Sequence, residues 1–148
     1  MASIDDARSA ALTLLARRDF SRGELRGRLA RKSSALAQDI EVVLDDLEVH
    51  GQLCDARFVE GFVRARLRRG QGPVRIRHDL ATRGVDSETM DQHLTFPTAF
   101  WIERVAEVRA RRFGEALPLS ATERGRQARF LAQRGFPSDV IFAAFKAS

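Results

Sequence analysis

The sequence predicts an all-α fold built from three tandem three-helix repeats with a period of about 51 residues, stacked as an elongated helical array. Three observations lead there. Leu29-Ala30, Leu80-Ala81 and Leu131-Ala132 recur 51 residues apart, each followed at one offset by Lys32, Arg83 or Arg134 and then by Ser33, Gly84 or Gly135. Ile40, Met90 and Ile141 each have a large apolar partner four residues on, Leu44, Leu94 and Phe145, at intervals of 50 and 51 residues. Apolar positions follow the 3.6-residue helical period, and no stretch alternates as a strand does. The copies are placed at 1–53, 54–98 and 99–148.

Helices are expected over about 4–18, 22–32 and 37–50 in the first copy. In the last of these, Ile40, Val43, Leu44 and Leu47 share one face, and Gly51 supplies a C-terminal stop. The second copy gives about 56–69, 73–83 and 87–94, with Phe58 and Phe62 one turn apart. The third gives about 99–113, 121–134 and 138–146, so that FPSDVIFAAF packs inward as its third helix. Ser21 to Glu24 and Ser120 to Glu123 read as capping boxes. Pro73 suits a first helical position, where no useful amide is lost. The middle helix of the third copy starts earlier relative to its leucine and should be about a turn longer. Gly23, Gly27, Gly61 and Gly125 fall inside helices at up to about 1 kcal/mol each relative to alanine, which close helix contacts would account for.

The composition, 44% hydrophobic and 30% charged over 148 residues, is that of a folded chain. Cys54 is the single cysteine, which excludes an intrachain disulfide, and it reads as a small core residue. With neither a signal pattern nor an apolar run long enough to span a bilayer, a soluble cytoplasmic protein is expected. The net charge of +5 conceals an alternation: +4 over residues 1–34, −6 over 35–55, +6 over 56–85, −4 over 86–103 and +5 over 104–148. The first two helices of each copy are basic, and the third is acidic in copies one and two. Copies stacked in register would form a basic stripe with an acidic flank, a surface for a polyanion.

Catalytic constellations are missing from the sequence. His50, His78 and His93 lack Cys or carboxylate neighbours at metal-ligand spacing, so neither metal nor cofactor is expected. Gly70-Gln71-Gly72-Pro73 lacks the strand and the G-K-[ST] ending of a nucleotide loop and reads as a turn. Phe96, Phe100 and Trp101 at a helix opening read as core. An enzyme is not expected.

The stretches ALTLLARRDFSRGELRGRLARK and VVLDDLEVHGQLCDARFVEGFVRARLRRGQGPVRIRHDLATRGVD resemble the RecX family of bacterial recombination regulators. The match is carried by the L-x-R-R-x-x-S-x-x-E-L run at 15–25, the D-A-R-F of Asp55 to Phe58 and the R-x-G-x-G-P-x-x-I run ending at Ile76; it is strong over 8–94 and looser beyond. The resemblance implies three helical repeats and a non-enzymatic protein of homologous recombination, DNA repair and the SOS response. Such a protein binds the RecA filament in its groove on single-stranded DNA and restrains ATPase, strand exchange and filament extension. Separately, no membrane partner is expected, and a monomer is expected; the resemblance also implies direct binding to DNA, single-stranded and double-stranded. Joined to the charge pattern, it assigns DNA or filament contact to Arg17, Arg18, Arg22, Arg26 and Arg28 in copy one. Arg66, Arg68, Arg69, Arg75 and Arg77 follow in copy two, and Arg109, Arg111, Arg124, Arg126 and Arg129 in copy three. Two other readings stand beside it: a sequence-independent DNA-binding protein acting without RecA, and a protein-binding scaffold whose arginines pair with its own acidic third helices.

Overall fold

The computed structural model describes residues 2–146 and, among them, contains helices and loops but no strand. The first repeat forms α1 (Ala2–Leu15), α2 (Arg22–Lys32) and α3 (Ala37–Val49). The second forms α4 (Asp55–Arg68), α5 (Pro73–Thr82) and α6 (Ser87–Leu94), and the third α7 (Thr98–Phe113), α8 (Ala121–Gln133) and α9 (Ser138–Lys146). Every expected helix is present; the largest difference is α1, which ends at Leu15 because the chain turns through Ala16 and Arg17. No helix among the described residues is long and apolar enough to cross a membrane.

Local chemistry accounts for the boundaries. Ser21 and Glu24 form the complete capping box, the Glu24 amide donating to the Ser21 hydroxyl at 3.0 Å while the Glu24 carboxylate accepts from the Ser21 amide. At α8, Ser120 caps Glu123 in the same way, but the Glu123 carboxylate is taken by Arg126 and Gln127. Pro73 opens α5. After α3, Gly51 adopts φ +73° and the Gln52 amide reaches back to the Leu47 carbonyl, a Schellman closure.

The chain divides into two compact units, residues 1–62 with 80–93 and residues 63–79 with 94–148, so that the second repeat is shared between them. In the first unit α1, α2 and α3 all pack on one another. Their core includes Leu25, Leu29, Val43 and Leu44, each fully buried. In the second unit α7, α8 and α9 pack likewise, burying Trp101, Val105, Leu131, Val140 and Ile141. Phe96 and Phe100 stack at 4.3 Å with Trp101 edge-on to both. Cys54 is half-buried, a helix-start neighbour and not a core residue.

Both units use one joint between a helix start and a glycine turn. In the first, the Ser21 hydroxyl donates to the Arg83 carbonyl at 2.6 Å, and a Cβ added to Gly23 would lie 2.9 Å from the Gly84 Cα. In the second, the Gly72 amide donates to the Arg134 carbonyl at 2.7 Å and the Val74 amide to the Gly135 carbonyl at 2.9 Å. The turn glycines have φ +77° and +99°, a region that favours glycine. The repeat position shared by Ser33, Gly84 and Gly135 is thereby explained, because Ser33 is extended at φ −127°. Close contact accounts for Gly23 alone among the four helix-interior glycines; a Cβ at Gly61 would meet nothing within 4 Å, and at Gly27 or Gly125 only the tip of an arginine.

Candidate nucleic-acid interface

In the first unit the basic helix meets the acidic one. Arg22 and Arg26 lie one turn apart on α2, and Glu41, Asp45 and Glu48 form a line on α3. Arg22 contacts Glu41 at 3.1 Å, Asp45 at 2.7 Å, and Glu48. Arg26 grips Glu41 with two nitrogens, at 2.7 and 2.9 Å. These bonds, from Arg26 first and then Arg22, overcome the opposing effect of desolvation and hold the Glu41 carboxyl at about 2. Arg18 leaves the helix line altogether. It bonds Glu24 at 3.0 and 3.2 Å and lies 3.7 Å over the Phe20 ring, where Arg28 also stands at 5.7 Å. Arg22 and Arg26 thus join α2 to α3; Arg22 is half-buried there, whereas Arg26 stays exposed. Arg17 is exposed.

Two further assigned residues turn inward. Arg66 contacts Asp79 at 2.5 Å and Gln71 at 2.8 Å, tying α4 to α5. Arg109 is 4% exposed and donates to the Glu115 carbonyl at 2.9 Å and the Ala116 carbonyl at 3.2 Å, with Gln127 at 3.4 Å. Burial withdraws Arg109 from any surface stripe. The signal was in the spacing: Trp101, Val105 and Arg109 follow one another at four-residue intervals along the buried face of α7. Arg126 grips Glu123 at 3.0 Å through both of its bonds, which pulls the Glu123 carboxyl below its ordinary value, with Gln127 adding to the effect. Arg68, Arg69, Arg75, Arg111, Arg124 and Arg129 are exposed, and Arg77 is half-buried.

The second unit holds a basic cleft. A hollow of about 200 Å³ has Gly70, Val108 and Phe130 as its apolar lining, with Arg69, Arg111, Arg112 and Arg134 around them. A second hollow of about 270 Å³ shares Gly70, Val108 and Arg111, and adds Arg68, Arg104 and Glu107. Gly70 permits the close fit of the α4–α5 turn to α7, since a Cβ there would stand 3.1 Å from Val108. Phe130 has two guanidinium groups near its ring, Arg112 at 5.3 Å and Arg134 at 5.1 Å from its centroid, and meets Phe113 edge-on at 5.3 Å. Arg134 also donates to the Arg69 carbonyl at 3.4 Å. Arg104 has Glu107 at 3.2 Å. Among the described residues, Arg69, Arg111, Arg112 and Arg134 make no ion pair.

Sequence reasoning reached Arg68, Arg69 and Arg111 but passed over Arg104, Arg112 and Arg134. The available signals were the RARR block at 109–112 and the shared repeat offset of Arg134. Phe130 carried no separate signal, because its two guanidinium neighbours come from different helix ends.

Comparison with known proteins places these features in a family. Residues 55–94 match the second three-helix domain of RecX and residues 102–145 the third. A regulatory protein RecX from Halorhodospira halophila is 43% identical over 147 residues, covering 99% of this chain and 91% of that one. Its counterpart from Pseudomonas savastanoi pv. phaseolicola is 43% identical over 134 residues, covering 90% and 86%. The crystal structure of RecX from Lactobacillus salivarius superposes with a TM-score of 0.83 at 20% identity, over 98% of this chain and 96% of that one.

Proposed function

The chain belongs to the RecX family of regulatory proteins, and from that premise we propose that it binds the RecA recombinase filament on single-stranded DNA. There it restrains ATP hydrolysis, strand exchange and filament extension, working in the cytoplasm without catalysis of its own. The observation that carries this reading is 43% identity to a regulatory protein RecX along 99% of the chain. The exposed arginines support it. Arg68, Arg69, Arg75, Arg111, Arg124 and Arg129 supply guanidinium groups suited to phosphate or carboxylate. The half-buried Arg22 and Arg66 and the buried Arg109 act instead as internal ties, and the exposed Arg26 pairs with Glu41.

The test is the ATPase rate of RecA preformed on excess single-stranded DNA, with this protein added well below the recombinase concentration. Hydrolysis should fall although free DNA remains in excess. An unchanged rate up to equal concentration would overturn the regulator reading. The basic cleft favours one other reading, a sequence-independent DNA-binding protein that acts without RecA. That protein would bind bare DNA with an affinity falling about 10³- to 10⁵-fold between 50 and 200 mM salt if it made six to ten phosphate contacts.

A further inference from the structure

The two basic faces of this protein have opposite electrostatic outcomes. In the first unit Arg22 faces Glu41, Asp45 and Glu48, so its charge is answered from within the chain. In the second unit the 200 Å³ hollow has four arginines in its lining and no carboxylate. The one carboxylate of the adjoining hollow, Glu107, already has Arg104 beside it. Like charges gathered over an apolar wall repel one another, and a bound anion reverses that repulsion.

We propose that this cleft is a phosphodiester clamp that seats the backbone of single-stranded DNA, with Arg69, Arg111, Arg112 and Arg134 as its phosphate ligands. The assignment rests on the reading that the protein works on a DNA-bearing filament, and it places the DNA contact in the second unit. Phe130 is the positioning element. By holding Arg112 and Arg134 at cation–π distance it restricts two long side chains that would otherwise lose rotamer freedom on binding. A guanidinium so held offers its edge to phosphate oxygens and its outer plane to a base, a combination that a strand uses and a carboxylate does not. At about 200 Å³ the hollow is below the usual size of a site for a whole cofactor.

The experiment compares the full chain with Arg69→Gln/Arg111→Gln and with Arg31→Gln/Lys32→Gln, which removes the same charge from exposed positions in the first unit. Binding to a labelled oligothymidylate is followed by anisotropy across a salt series, with circular dichroism to confirm the fold. The cleft pair should weaken binding by about tenfold, the value of one charged hydrogen bond. Its slope of log affinity against log salt should flatten by about 0.7 for each phosphate that the variant no longer neutralises. The control pair should change both much less. Equal effects in the two variants, or none in either, would overturn the clamp. Replacing chloride with inorganic phosphate at equal ionic strength should leave the strand bound; complete displacement would reassign the cleft to a free anion.

The same variants in the RecA assay separate this proposal from the regulator reading. A cleft variant that binds bare DNA normally yet no longer restrains hydrolysis would mean that the cleft meets protein, which overturns the clamp and leaves the regulator. Cleft-dependent DNA binding by a wild-type protein without effect on hydrolysis would retain the clamp and remove the regulator.

Discussion

The Ser21 hydroxyl donates to the carbonyl of Arg83, 62 residues further along the chain, at 2.6 Å, while it accepts from the Glu24 amide at 3.0 Å. One fully buried side chain therefore starts α2 and fastens the turn after α5 to it. Ser21→Ala should lower unfolding free energy by about 1–3 kcal/mol, since it removes a cap and the hydroxyl that donates to the part-buried Arg83 carbonyl. Ser120→Ala, whose hydroxyl caps Glu123 at an exposed helix start, should cost about 1 kcal/mol or less. Urea denaturation of both variants checks the difference.

Glycine substitutions should divide by sign. A Cβ at Gly72 would lie 2.5 Å from the Gly135 carbonyl oxygen, a backbone atom that cannot swing aside. Gly72→Ala should destabilise by about 1–3 kcal/mol, the range for overpacking. At Gly125 a Cβ would meet only the Arg129 guanidinium at 3.6 Å, so Gly125→Ala should stabilise by about 0.5–1 kcal/mol through helix propensity. Thermal melts of the two variants should move in opposite directions.

Arg109 should behave as a structural residue. Its guanidinium holds the Glu115 and Ala116 carbonyls, and Arg109→Ala leaves those acceptors and Gln127 without it. A loss of about 3 kcal/mol is expected, as for a broken buried polar network. DNA affinity of the folded fraction should stay near wild type. Reduced affinity at unchanged stability would return Arg109 to the interface.

The Arg22, Arg26 and Glu41 cluster predicts an acid response. Glu41 sits at about 2 in the folded chain against an ordinary glutamate value of about 4.3. A carboxyl depressed by folding adds stability above its unfolded value and loses that contribution as pH falls towards the folded one. Wild type should therefore lose more stability than Glu41→Gln between about pH 4.3 and 2. Glu41 is 42% exposed, so solvent screening keeps the difference modest. Parallel pH profiles of the two melts would sink the idea.

Much of the fold was legible because helices are local. Capping residues such as Ser21, the proline at the start of α5 and the i, i+4 apolar lines of Ile40 and Leu44 act within one or two turns. The alternative in which arginines pair with an acidic third helix was visible as charge alternation, and the structure gives it substance in the first repeat through Arg22 and Arg26. The site was less legible. Charge density marked fifteen arginines, but whether an arginine meets carboxylates, carbonyls or solvent depends on what another helix places opposite it.

The sequence by itself determined the helical repeats, their helix ends and the family, because each rests on residues within hydrogen-bonding reach along the chain or on their order. Only the tertiary structure decided which arginines remain outward. Arg22 faces α3 and Arg109 enters a core, whereas Arg69 and Arg111, 42 residues apart in the chain, line one cleft. The physical reason is that guanidinium chemistry is the same at every position, while the charge left available to a partner is set by neighbours that only folding brings near.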